Sequence, residues 1–259
     1  MKLHWLSASI RLTLMVVLVA AIPVTSLAQP DASQLWTMST VEVHHDMIPE
    51  FEELQKELSA AYKKAGATQR LVSQVVRGPS ATYLFMTPVA KWADYDDADL
   101  VTEAMGEAEG ARWIARITKC VKERRVDTIQ TRADLSIPLA DGRTPKLAVW
   151  TTRRNLPGKY PEYNDWLVNK WMPAVKQAGM NGYFTSRNAF GGNAREWINF
   201  SLVDSWAAFD QEHPVLRSLG QEKWRELRTG VGAMTTAPVR RILRLRRDLG
   251  IVPSSSTSQ

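Results

Sequence analysis

A single cysteine, Cys120, occurs in the whole chain, so no intramolecular disulfide can form whatever the redox state of its compartment. Histidine is nearly as scarce, with His44, His45 and His213 the only ones beyond His4. HExxH, paired CxxC, a glycine-rich phosphate loop and GxSxG are all missing, which argues against zinc hydrolases, nucleotide enzymes and serine esterases. Past Val24 no apolar run is long enough to cross a bilayer as a helix. The formal net charge of +6 is too small to point to nucleic acid, and its densest stretch, Arg240 to Arg247, reads as a strand with one solvated face.

What is present begins with a segment to set aside. Lys2 and Arg11 precede an apolar run from Leu14 to Val24, and small residues stand at Ser26 and Ala28. Residues 1–28 are therefore expected to be a signal peptide, and the mature protein to be exported, periplasmic or secreted, with no membrane anchor after cleavage. Nine of the ten tryptophans lie beyond that segment, an ample aromatic supply for a packed core.

The mature sequence says the same thing twice. PVAKWADYD (Pro88 to Asp96) and LVDSWAAFD (Leu202 to Asp210) share Val, Trp, Ala, an aromatic and Asp in one order, displaced by 114 positions. Trp36-Thr37 matches Trp150-Thr151 at 114, Ala65-Gly66 matches Ala178-Gly179 at 113, and Val126 and Ile129 match Val239 and Ile242 at 113. A near-constant offset over this distance marks a duplication.

Each copy reads as a strand rich in β-branched residues, a helix, a hairpin, a second helix and a last strand. Phe51, Leu54, Leu58 and Ala61 form one helical stripe, with Asp46 as candidate cap, Pro49 in the first turn and Gly66 at the end. The equivalent second-copy helix, Pro161 to Gly179, contains Pro173 and is expected to kink near Trp171. Gly78-Pro79 and Gly191-Gly192 are turn chemistry. The order βαββαβ, twice, gives an α+β fold of two tandem ferredoxin-like units at 34–132 and 146–247, a linker at 133–145 and a disordered tail at 248–259.

A four-stranded sheet with helices on one face leaves the other bare, and two such units can bury their open faces against each other. With this order and the Trp-x-x-aromatic-Asp phrase (Trp92, Tyr95, Asp96; Trp206, Phe209, Asp210), the sequence resembles the dimeric α/β-barrel superfamily, NIPSNAP-like and antibiotic-biosynthesis monooxygenase-like proteins included. That resemblance implies an intramolecular dimeric α/β barrel, packed sheet to sheet. It leaves open cofactor-free monooxygenase, isomerase or cyclase activity. The tandem layout is also similar to that of chlorite dismutases, in architecture only, which keeps haem as an alternative to no cofactor. A non-catalytic interaction scaffold with a filled interior is a further alternative. The Trp phrase itself reads as a packing plug.

Comparing the copies locates candidate chemistry. Val72 becomes Thr185, Gln74 becomes Arg187, Phe85 becomes Asn199 and Thr87 becomes Ser201. If Leu84, Met86, Ile198 and Phe200 face the helices, these positions face the space between the sheets. A small anionic or aromatic ligand is then expected there, held by Arg187 and Asn199 with Tyr183, Thr185, Trp197, Trp150 and Arg154. His44 and His45, at a strand end, are candidate general bases, and His213 a candidate metal or haem ligand. Internal pairing makes a homo-oligomer possible but not required, with exposed edge strands as its route.

Overall fold

The computed structural model describes residues 34–96, 100–140 and 143–252. The proposed signal peptide lies outside them. Eight antiparallel strands run Leu35–Val43 (β1), Leu71–Arg77 (β2), Thr82–Val89 (β3), Val121–Thr131 (β4), Leu147–Arg154 (β5), Tyr183–Phe190 (β6), Glu196–Val203 (β7) and Val239–Leu245 (β8). They close into one barrel in the order β1-β3-β2-β8-β5-β7-β6-β4. Each copy supplies four neighbouring strands, and β2–β8 and β4–β6 ladders seal the two seams between copies. The expectation of exposed edge strands is thereby corrected: closure leaves this barrel without an edge.

Helices cover the outside. In the first unit, α1 (Ile48–Lys64) packs with α2 (Leu100–Met105) and α3 (Glu107–Cys120). The second unit has α4 (Tyr160–Trp166), a π-helical turn at Leu167–Trp171, α5 (Met172–Gln177) and α6 (Pro214–Gly232). The kink expected near Trp171 takes the form of that π turn, next to Pro173, whose missing N–H cannot close an ordinary helical bond. Asp46 does not cap α1; Met47 is the N-cap residue, with no side-chain hydrogen bond. Gly66 and Gly179 end the paired helices at φ +95° and +64°.

Alternation along the strands holds, but its phase is opposite to the expected one. Leu84, Ile198 and Phe200 point into the barrel with Met38, Ile129, Trp150 and Leu243. Val72, Tyr83 and Phe85 instead pack under Phe51, Leu54 and Trp113 of the first unit's helices. Tyr183 and Trp197 do the same in the second unit, under Tyr163, Trp166 and Leu227. Both faces of these strands are buried, so hydrophobic pattern alone does not choose between phases.

One further expectation changes. The described part of the expected disordered tail, 248–252, is packed: Leu249 is fully buried in the first unit's core, and Ile251 bridges to Arg70. In the linker, Leu135 is buried in the second unit's core and Ile137 bridges to Tyr183. The Trp phrases form two short 3-10 turns on the surface and clasp the seams rather than plug the core. Trp92 meets Phe190 of the other copy edge-on at 5.2 Å, and Trp206 lies under the Arg77 guanidinium, 5.2 Å from the ring centroid. Phe190 and Arg77 are themselves equivalent positions, 113 apart, so the duplicated phrase makes the same clasp twice.

Candidate functional site

The two units differ in what lies between helices and sheet. In the first, Phe85 and Val72 fill the space, and Tyr83, fully buried, donates to Glu52 at 2.6 Å. In the second, Asn199 and Thr185 replace them, and a cavity of about 870 Å³ opens over β5–β8 and under α4, the π turn and α6. That volume is of the size that takes a drug-sized molecule.

Aromatic rings form much of its wall. Trp166 and Trp171 stack at 5.7 Å and 13°, Tyr163 continues the stack beyond Trp166 at 5.7 Å, and Trp224 lies 6.5 Å from Trp171. The Trp171 indole donates to the Tyr183 hydroxyl at 2.9 Å, and Asn199 Nδ2 donates to Thr185 Oγ1 at 2.8 Å. Burial, above all, raises the Tyr163 and Tyr183 hydroxyls out of the ordinary phenol range, so both stay protonated.

Charge in the cavity is one-sided. Arg153 stands in the wall, with Arg228 and Arg240 at the rim, and none of the three is paired with a carboxylate among the described residues. Asp204 is the acidic residue of the lining, and it is bound to Arg143 at 2.6 Å. Desolvation lowers the Arg153 pKa, and Arg240 adds to that effect. Cations without a carboxylate partner in a partly dry space carry a desolvation cost that a bound anion would offset.

His213 completes the set. Its ring stacks on Trp224 at 5.0 Å, and its Nδ1 accepts from the Val215 amide at 3.2 Å. Burial first, then Arg240 and Arg228, hold its pKa below the usual histidine value, so the ring is neutral at pH 7. With Nδ1 used as an acceptor, the proton sits on Nε2, which adds a donor to the cavity wall.

The structure thus divides the expected site. Tyr183 and Asn199 line the cavity, and Thr185 holds Asn199 in place. Arg187 is turned away, donating to the Tyr160 hydroxyl at 2.6 Å and lying over the Tyr160 and Trp197 rings. Trp197, 1% exposed, spends its N–H on Asn155 at 2.6 Å. Trp150 is on the other face of the sheet, inside the barrel, and Arg154 is exposed at the barrel mouth. His44 and His45 are exposed and line neither cavity; His45 Nε2 is 3.2 Å from Ser80 Oγ. Arg153, Arg228, Arg240 and the Trp166–Trp171 stack are the residues that sequence reasoning missed, and His213, expected as a metal or haem ligand, is in the wall as a hydrogen-bond donor. The doublets Arg153-Arg154 and Arg240-Arg241 were the available signal, since alternation sends one member of each to either face.

A haem does not fit the donors as arranged. An iron needs an unprotonated nitrogen, and the neutral His213 ring presents N–H on the side its Nδ1 contact leaves available. Cys120 is buried in the first unit, and the described residues hold no cluster of three metal-ligating side chains.

No protein-family model matches the chain, and no curated protein matches its sequence. Solved structures do match. A candidate monooxygenase from Fusobacterium nucleatum subsp. nucleatum superposes with a TM-score of 0.59 at 11% identity, covering 83% of this chain and 93% of that one. An anthrone oxidase-like protein gives 0.56 at 16% identity, over 83% and 92%. The chlorite dismutase of Candidatus Nitrospira defluvii, in complex with imidazole, gives 0.52 at 11%, over 83% and 93%. These likenesses agree with the closed eight-stranded barrel and its duplicated halves: the chain has the dimeric α/β-barrel fold, with both ferredoxin-like units supplied by one polypeptide.

Proposed function

We propose that the protein binds a planar aromatic anion, a carboxylated or phenolic ring system, in the helix–sheet cavity of its second unit. The observation that carries this reading is the meeting of an aromatic wall (Tyr163, Trp166, Trp171, Trp224) with three cations, Arg153, Arg228 and Arg240, that lack carboxylate partners. A ring stacks on the first and its charge is met by the second, with His213 Nε2–H as an added donor. This moves the expected ligand from between the sheets to beneath the helices. Export, carried by the proposed signal peptide, places the binding in the periplasm or outside the cell, and a mature N-terminus at Gln29 would support that placement.

A second reading is cofactor-free oxygenation of a bound phenol. The same cations favour the phenolate over the phenol, and the phenolate is the electron-rich form from which ring oxidation starts.

Calorimetric titration with 2-naphthoate and 2-naphthol tests both. Arg153→Gln and Arg240→Gln should each weaken naphthoate binding by about ten- to a hundredfold, the loss of one charge-assisted hydrogen bond. Bound naphthol should show the naphtholate absorption band at pH 7, and oxygen uptake would mark turnover. Unaltered naphthoate affinity in both variants would overturn the binding reading. A Soret band after addition of haem, lost in His213→Asn, would replace it with a haem protein.

A further inference from the structure

The other face of the same sheet carries a second unfilled space. At one end of the barrel interior, β1, β4, β5 and β8 surround a mouth of about 570 Å³. Two ion pairs frame it: Arg125 with Asp127 at 3.0 Å, and Arg154 with Glu196 at 3.1 Å. These charges are matched. Arg241 is not: its guanidinium lies 4.6 Å over the centroid of the Trp150 ring and has no hydrogen-bonded acceptor among the described residues. Trp150, 6% exposed, likewise has an indole N–H with no acceptor. A buried donor left unmade costs about 1–3 kcal/mol, so the Trp150 indole, with the partly buried Arg241 guanidinium on its face, calls for an occupant that accepts hydrogen bonds.

We infer that the barrel mouth is a second ligand site, for a small organic monocarboxylate whose oxygens accept from Arg241 and from Trp150 Nε1. The carboxylate class follows from the charge around it. Glu42, Glu123, Asp127 and Glu196 also line the mouth, so a dianion such as phosphate meets more repulsion than a single carboxylate does. The volume admits a molecule of a few carbon atoms with water beside it. Arg153 is in the lining of both spaces, and Arg241 belongs to the mouth alone. Arg240 and Arg241 are consecutive on β8 and pair with Thr151 and Trp150 of β5, so each faces a different cavity across one sheet.

That adjacency supplies the test. Acetate, lactate and inorganic phosphate are titrated into the mature protein while the indole N–H resonances are followed by NMR, Trp150→Phe identifying the Trp150 signal by its loss. Acetate and lactate should shift the Trp150 signal, phosphate should not, and Arg241→Gln should weaken the carboxylates at least about tenfold. Arg240→Gln should leave them unchanged. No shift of the Trp150 signal with any carboxylate would overturn the site. So would carboxylate binding that is lost in Arg240→Gln and kept in Arg241→Gln, because the anion would then sit beneath the helices. Phosphate binding as tightly as acetate would overturn the monocarboxylate assignment. Naphthoate binding in Arg241→Gln separates this outcome from failure of the aromatic-anion reading.

Discussion

Arg70 is 5% exposed and has no carboxylate partner among the described residues; it is held by Ser59 Oγ at 2.7 Å, the Leu249 carbonyl at 3.0 Å, Gln55, and the Phe85 ring at 4.8 Å. Burial pushes its pKa down to about 10, still charged at neutral pH. Arg70→Met should cost about 2–4 kcal/mol in urea unfolding, because it strands several buried acceptors at once. An unaltered midpoint would show that water, not the guanidinium, satisfies them. His213 gives a pH dependence with a definite sign. Its folded pKa lies below the unfolded value of about 6.5, so the unfolded chain binds more protons between the two. Stability should therefore fall as pH drops from 7 through that interval, with no such slope above it. His213→Asn keeps a capping acceptor and should remove that contribution. Neither role was legible beforehand. Arg70 meets an acceptor 179 positions away, and His213 takes its shift from burial first and then from arginines on α6 and β8, all tertiary facts.

Among elements, order was legible and phase was not. Two copies checking one another gave βαββαβ, because periodicity and turn chemistry are local. Which face of β3 or β7 meets the helices is a tertiary fact, since TYLFMTPV and EWINFSLV offer large residues to both sides. One element-level repeat escaped notice. Gly106 separates α2 from α3 at φ +81°, ψ 159°, and Gly220 breaks α6 at φ +79°, ψ 169°, 114 positions later. This backbone region is essentially glycine's alone, so Gly220→Ala should cost about 1–3 kcal/mol. Open space around the added methyl group leaves strain as the sole cause. A neutral substitution, measured by thermal unfolding, would mean that the break relaxes into continuous helix.

At the scale of the molecule, the duplication explains both closure and asymmetry. Pairing β2 with β8 and β4 with β6 removes every edge, and the two Trp phrases clasp the seams from outside. Once the copies are fused, they are free to diverge. The first keeps Phe85 and Val72 and a filled core, while the second carries Asn199 and Thr185 and an open one. That lopsidedness was readable from the substitutions themselves. Its position was not, because the inverted phase put polar residues between the sheets when they lie beneath the helices. The doublets at 153–154 and 240–241 then deliver cations to both faces of one sheet, beside the two spaces proposed to take anions.

A crystal structure of the mature protein grown with 2-naphthoate tests the central claim most directly. The expected result is a naphthalene ring against the Trp166–Trp171 stack, its carboxylate within hydrogen-bond reach of Arg153 or Arg240, and the first unit empty of ligand. A ring bound inside the barrel or under α1, or a second-unit cavity closed by its own side chains with no ligand in it, would contradict that claim.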